Sequence, residues 1–228
     1  MSQKIINILY EGATEDRFAQ KVLKPHLKGF GIVVKTQLLL TNKRKNFHGG
    51  MISYQRTKND LSIWIKQLSG NKNETHYFTT MFDLYALPND FHGYSDAKSK
   101  ANCYETVQLL EEAFSNDINF YRFIPYIQLH DFEALVFCGL DYLLIEYPDM
   151  ISEVESLRRI LTGYDNNPER INDSPMTAPP KQVIKAFESK HHYDIPKMGE
   201  FVTSKVGIKE LKDKCLHFKE WIEKLEKI

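Results

Sequence analysis

The sequence predicts an α/β fold: a mainly parallel, four-stranded sheet flanked by helices, with a helical C-terminal region. Three observations carry this. Short β-branched or aromatic runs alternate with helical apolar stripes through residue 140. The alternation then stops, and helical patterns dominate after Phe137. Of 228 residues, 42% are hydrophobic and 26% charged, which suits a packed core rather than a disordered chain.

Residues 5–10, Ile5-Ile6-Asn7-Ile8-Leu9-Tyr10, are rich in β-branched isoleucine and read as a buried strand. Residues 14–27 place Phe18, Val22, Leu23 and Leu27 on one helical stripe. A second strand is expected over 31–40. A helix over 52–68 follows, with Leu61, Ile63, Ile65 and Leu68 on its apolar surface. The third strand covers 77–84, the third helix 97–114 and the fourth strand 120–129. Crossovers between parallel strands are expected to be right-handed. Further on, 152–161 and 209–225 read as helices, the second amphipathic. Between them, 164–180 is an Asn-, Asp- and Pro-rich loop of a length often tied to function. The expected division is an α/β core over 1–140 and a helical extension over 141–228 packed on it.

Composition narrows the function. Lys+Arg and Asp+Glu are both 30, so the chain is no general coat for nucleic acid, and any such contact needs a local patch. Lys43-Arg44-Lys45 before His48-Gly49-Gly50 is one, and an ordinary solvated loop equally. No apolar run approaches the roughly 20 residues of a membrane helix, and no signal-peptide layout opens the chain. Cys103, Cys138 and Cys215 are far apart, with no C-x-x-C. A cytoplasmic protein with reduced thiols and no membrane partner is expected.

The chemistry-bearing residues follow the strands. In Tyr10-Glu11-Gly12-Ala13-Thr14-Glu15, Glu11 closes the first strand, Gly12 permits a turn and Thr14 is placed to cap a helix. Glu15 is also an ordinary complement to the helix dipole. Asp83 closes the third strand, and Asp131 and Glu133 follow the fourth. Parallel strands put these ends on one edge, where ligands bind in such sheets. Like charges crowded there raise one another's pKa, and a hard cation such as Mg²⁺ or Mn²⁺ relieves them. Glu11, Glu15, Asp83, Asp131 and Glu133 are therefore the candidate metal ligands, suited to phosphoryl chemistry. His130 is a candidate general base or orienting group. Lys181, after Pro179-Pro180, is a candidate for neutralising a transition-state phosphate, or a solvated first-turn lysine. His191-His192 reads as surface, and Trp64 and Trp221 as core.

The Glu11-Gly12-x-Thr14-Glu15 turn resembles the opening motif of Toprim domains, especially those of the overcoming-lysogenization-defect (OLD) nucleases. More closely, the chain resembles a bacterial family, the domain-of-unknown-function family 4276. The matching stretches are Glu11 to Glu15, His48-Gly49-Gly50 with Tyr54, Thr79-Thr80-Met81-Phe82-Asp83-Leu84-Tyr85-x-Leu87-Pro88, Phe123 to His130 with Phe132-Glu133-Ala134-Leu135, and Ile171-Asn172-Asp173 with Ala178-Pro179-x-Lys181. The helix ending at Trp221 fits as well.

The resemblance implies a Toprim-like core and a Mg²⁺- or Mn²⁺-dependent nuclease acting on DNA or RNA. In it Glu11, Asp83, Glu133, Lys181 and His130 are catalytic. Toprim domains pair the first glutamate with an Asp-x-Asp, whereas this chain has Asp83-Leu84-Tyr85. Asp131 or Glu133 would replace the missing acid. A catalytically silent Toprim-like interaction or nucleic-acid-sensing module is the alternative. OLD-type Toprim domains are coupled to an ATPase, and no G-x-x-x-x-G-K-[ST] occurs here. The resemblance thus implies a separate ATPase partner, in antiviral defence. The region after residue 140, amphipathic from Lys209 to Leu225, is either its docking surface or only a cover for one end of the core.

Overall fold

The computed structural model describes residues 2–39, 51, 53–70, 73–100, 102–171, 179–188 and 190–228. His48-Gly49-Gly50, Lys43-Arg44-Lys45, Asn172-Asp173 and Ala178 lie outside them.

The chain opens with β1 (Gln3–Tyr10), whose last six residues are all buried. The helical run that follows comprises α1 (Ala13–Phe18), a π turn (Ala19–Leu23) and α2 (Lys24–Lys28). Pro25, which has no N–H and whose ring crowds the preceding turn, explains the widened coil before it. β2 (Ile32–Leu38), α3 (Tyr54–Leu68) and β3 (Glu74–Asp83) come next, and a 3₁₀ turn (Leu84–Ala86) follows Asp83 directly. The helix expected over 97–114 is two: α4 (Tyr94–Ala97) and α5 (Cys103–Ile118), the latter capped by the Asn102 side chain.

The expected fourth strand is broken into β4 (Phe123–Ile124) and β5 (Ile127–Gln128). Pro125 sits in the gap and has no N–H for the ladder. There the Thr80 hydroxyl stands in, accepting from the Tyr126 amide at 3.0 Å and donating to the Tyr126 carbonyl at 2.9 Å.

All pairings are parallel, in the order β2-β1-β3-β4, with β5 also on β3. The chain runs from β1 outward to β2, then returns to β3 on the other side of β1. The connections therefore diverge between β1 and β3, leaving a crevice at their carboxyl ends. Tyr10 is opposite Met81 in that register, so Glu11 and Asp83 emerge side by side.

The remainder is helical: a 3₁₀ segment (Phe132–Tyr142), α6 (Leu143–Glu146), α7 (Ile151–Gly163), a 3₁₀ turn (Pro168–Arg170), α8 (Pro179–Phe187), α9 (Ile195–Lys214) and α10 (Leu216–Glu226). The single helix expected over 209–225 breaks at Cys215, which is extended between α9 and α10. Fully buried Glu169 receives the new helix start, accepting the amides of His217 at 3.0 Å and Phe218 at 2.9 Å.

Each face of the sheet has its own buried cluster. On one, Ile6, Ile8 and Phe18 meet Leu135, Phe218 and Trp221; on the other, Leu9, Phe78 and Phe82 meet Leu61 and Phe114. Each such side chain contributes about 1.5–3 kcal/mol on burial. Trp221 is core, as expected, and half-buried Trp64 packs edge-on against Phe78. The apolar face of α10 is spent on this core, so it presents no open stripe to a partner. Cys138 and Cys215 are free thiols with sulfurs 3.4 Å apart. Among the described residues, no helix is long and apolar enough to cross a membrane.

Candidate functional site

The crevice between β1 and β3 gathers carboxylates from three strand ends. Glu11 follows β1 and is 8% exposed. Its Oε2 accepts the Met51 amide at 3.0 Å, which brings the backbone three residues ahead of α3 to the site. Gly12 is the N-cap of α1, and Glu15 stands three residues on, at the position from which a carboxylate reaches back to the N-cap amide. A Cβ at residue 12 would lie 3.0 Å from Glu15 Oε2, so glycine leaves room for that carboxylate. Thr14, expected to cap the helix, does not: it lies buried inside the first turn, and no side chain caps α1.

Asp83 ends β3 and precedes the 3₁₀ turn. Asp131 occupies the N-cap of the long 3₁₀ segment and Glu133 its first turn; both are buried. The preceding His130, also buried, has a left-handed backbone with φ +65°. For a residue with a Cβ this costs about 1 kcal/mol or more, and such strain collects at functional sites.

The five acids act on one another. Burial, and then the Glu15 charge, push Glu11 up from 4.5 to about 8, against a smaller pull from the Met51 amide. Burial and Glu15 likewise push Glu133 to about 8. Asp83 is held well above its ordinary value by burial and by the charges of Glu15, Asp131, Glu11 and Glu133. Asp131 is raised by burial and Glu133, and Glu15 mainly by burial. Glu11 Oε1, Asp83 Oδ1, Asp131 Oδ1 and Glu133 Oε1 are buried with no hydrogen-bond partner among the described residues. Buried carboxylate oxygens are normally satisfied, so four together call for protons or a cation.

Their chemistry fits a hard divalent cation, being oxygen donors gathered at one edge. Their spacing is looser: among the described residues no three His, Cys, Asp or Glu stand close enough to hold an ion as they are. Glu11, Glu15, Asp83, Asp131, Glu133 and His130 thus share one edge. Lys181 is exposed on the first turn of α8, a helix packed on α7 and the long 3₁₀ segment. His191 lies elsewhere, 2.9 Å from Asp149.

Three neighbours were not singled out by sequence. The Tyr193 hydroxyl is buried with no partner among the described residues, and burial followed by the Glu133 charge keeps it protonated. Gly199 of α9 packs so closely that a Cβ would come 2.9 Å from Phe132 and 2.9 Å from Thr14. Tyr85 stacks on His130. A lone tyrosine and a mid-helix glycine carry no local motif; only the fold brings them here.

A family model described as Domain of unknown function (DUF4276) matches residues 10–226. Nothing among curated proteins or solved structures matches the chain.

Proposed function

We propose, for a chain that belongs to the DUF4276 family, that the crevice is the centre of a Toprim-like, Mg²⁺- or Mn²⁺-dependent nuclease that hydrolyses phosphodiester bonds of DNA or RNA. The observation that carries this is the meeting of Glu11, Glu15, Asp83, Asp131 and Glu133 at the β1/β3 divergence, with four of their oxygens buried and unsatisfied. The resemblance of Glu11-Gly12-x-Thr14-Glu15 to a Toprim opening supports it further.

Glu11, Asp83 and the Asp131/Glu133 pair would hold the cation, with Glu15 adding charge from the first turn of α1. When bound, such an ion polarises the phosphodiester and lowers the pKa of water. The remaining work falls to the chain. A bound cation would favour the ionised form of Glu133, and its Oε1, which has no hydrogen-bond partner among the described residues, would then be the proton acceptor. Water adds to phosphorus, its proton passes to that carboxylate, and the P–O bond breaks to give a phosphomonoester and a hydroxyl. Tyr193, kept protonated, is a donor on the same side. Lys181 enters only if its helix approaches the substrate.

Calorimetric Mn²⁺ titration of wild type against Glu11→Gln, run beside a Mn²⁺-dependent cleavage assay, tests the reading. Binding and cleavage in wild type, both lost in the variant, are expected. The spacing of the acids and the Asp83-Leu84-Tyr85 sequence favour a second reading, a silent Toprim-like module. Wild type that neither binds Mn²⁺ nor cleaves would select it.

We further propose a separate ATPase partner, in defence against phage, from the resemblance to OLD nucleases and the absence of a phosphate-loop motif in the sequence. Because the apolar face of α10 is buried, such a partner would meet other surfaces of the helical region. Affinity purification from the native host tests this; cleavage at full rate without any co-purifying ATPase would overturn it.

A further inference from the structure

We propose that Cys138 and Cys215 are a modification site, a thiol pair that a small peroxide converts reversibly to a disulfide in the folded protein. The two residues are 77 positions apart in the chain, yet their sulfurs are 3.4 Å apart, one thiol donating to the other. A disulfide holds its sulfurs at about 2.05 Å, so the pair has to close by only roughly 1.3 Å. Both residues stand where helical structure is interrupted. Cys215 is extended between α9 and α10, and Gly139, next to Cys138, departs from helical dihedrals. The shift therefore breaks no continuous helix. Cys138 belongs to the 3₁₀ segment that begins at Asp131 and Glu133. The bond would tie that acid-bearing segment to the joint between the two C-terminal helices.

Access is from one side. Cys138 borders a cleft of about 400 Å³, with Gly139, Arg158, Glu210 and Lys214 among its walls, which admits a molecule as small as hydrogen peroxide. Cys215 is fully enclosed. The neighbouring thiol and burial hold its own thiol well above the ordinary range, with Lys214 pulling the other way. Thiols held protonated react slowly, so the pair stays reduced until peroxide accumulates. Cys138 then reacts first: its thiolate attacks one peroxide oxygen, the O–O bond breaks, and a sulfenic acid and water result. The Cys215 sulfur displaces the hydroxyl from that sulfenic sulfur, giving up its proton as the S–S bond forms and a second water leaves. Two thiols and one peroxide become one disulfide and two waters. Nothing in this step depends on what the carboxylate crevice does.

The test treats the folded, full-length protein with hydrogen peroxide, alkylates the remaining thiols in denaturant, and reads intact and peptide masses. Cys103 is the third cysteine of the chain, so Cys103→Ser leaves only the pair. In wild type and in Cys103→Ser, a peptide linked through Cys138 and Cys215 is expected, and dithiothreitol should return both thiols. The thermal midpoint should rise by roughly 4–16 °C on oxidation, because the cross-link closes a long loop in the unfolded chain. Cys138→Ser and Cys215→Ser, each compared with its own untreated form, should show neither the linkage nor the rise. Two thiols that merely pack together would stay alkylatable in Cys103→Ser after peroxide, and that result overturns the proposal. A linkage that forms only in urea-unfolded protein, or one that lowers the midpoint, overturns it equally. The nuclease reading stands or falls separately, on the Mn²⁺ titration and cleavage assay.

Discussion

The indole nitrogen of Trp221 donates to the Thr79 hydroxyl at 2.9 Å, fastening α10 to the middle of β3. The same indole lies flat on Tyr126, centroids 4.0 Å apart and planes 9° from parallel. Thr79 in turn donates to the Ile124 carbonyl at 2.5 Å, so one hydroxyl joins the helix to the strand pair that leads to Asp83 and Asp131.

Trp221→Phe should cost about 1 kcal/mol for the hydrogen bond, and somewhat more for the poorer stack. Trp221→Ala should cost about 3–5 kcal/mol, because it opens a cavity against the sheet. Urea denaturation followed by circular dichroism measures both; equal losses would show that the hydrogen bond and the packing are not separable.

Asp83→Asn should abolish cleavage without harming the fold. The amide copies the shape of the protonated carboxyl that crowding already favours there. The metal-free thermal midpoint at neutral pH should match or exceed that of wild type, while any rise on adding Mn²⁺ disappears. A variant that still cuts at the wild-type rate removes Asp83 from the mechanism.

Stability without metal should fall as pH rises. Unfolded Glu11 and Glu133 lose their protons near 4.5, but folded they hold them to about 8. Between those values the native state binds more protons than the unfolded state, so its advantage shrinks with rising pH. Mn²⁺ should flatten the decline by taking the place of the protons. Denaturation midpoints measured across this window, with and without Mn²⁺, give the slope; a metal-free protein that gains stability towards pH 8 would contradict the crowding.

Gly199→Ala should cost about 1–3 kcal/mol from overpacking. The new methyl meets Phe132 and Thr14, each at 2.9 Å, and both belong to segments that position acids. A loss of Mn²⁺ affinity larger than that from a surface substitution on the same helix is expected in calorimetry.

Much of the architecture was legible because the central strands β1 and β3 carry runs that are buried on both faces, residues 5–10 and 78–82. The breaks were not. Pro25 widens a helix and Pro125 splits a strand, yet each sits in a pattern that otherwise continues. Cys215 interrupts a good amphipathic stripe only because Glu169, 46 positions earlier, is placed to receive the new helix start. At the site, Glu11, Asp83, Asp131 and Glu133 could be named because parallel order puts successive strand ends together. Tyr193 and Gly199 reach the same place through α8 and α9, and no local spacing foretells that. The ring of Tyr85 looked like a departure from a pattern until its contact with His130 gave it a position.

The clasp between Trp221 and Thr79 spans 142 positions, which sets an order of events at the ribosome. β1, β3 and the acids behind them emerge early, but one face of their sheet stays uncovered until α9 and α10 have been made. Long-range closures of this kind come late in folding. A nascent chain therefore has every carboxylate of the centre without the scaffold to gather them. If the centre cuts nucleic acid, its assembly waits on α10 as well as on the strands that carry its acids.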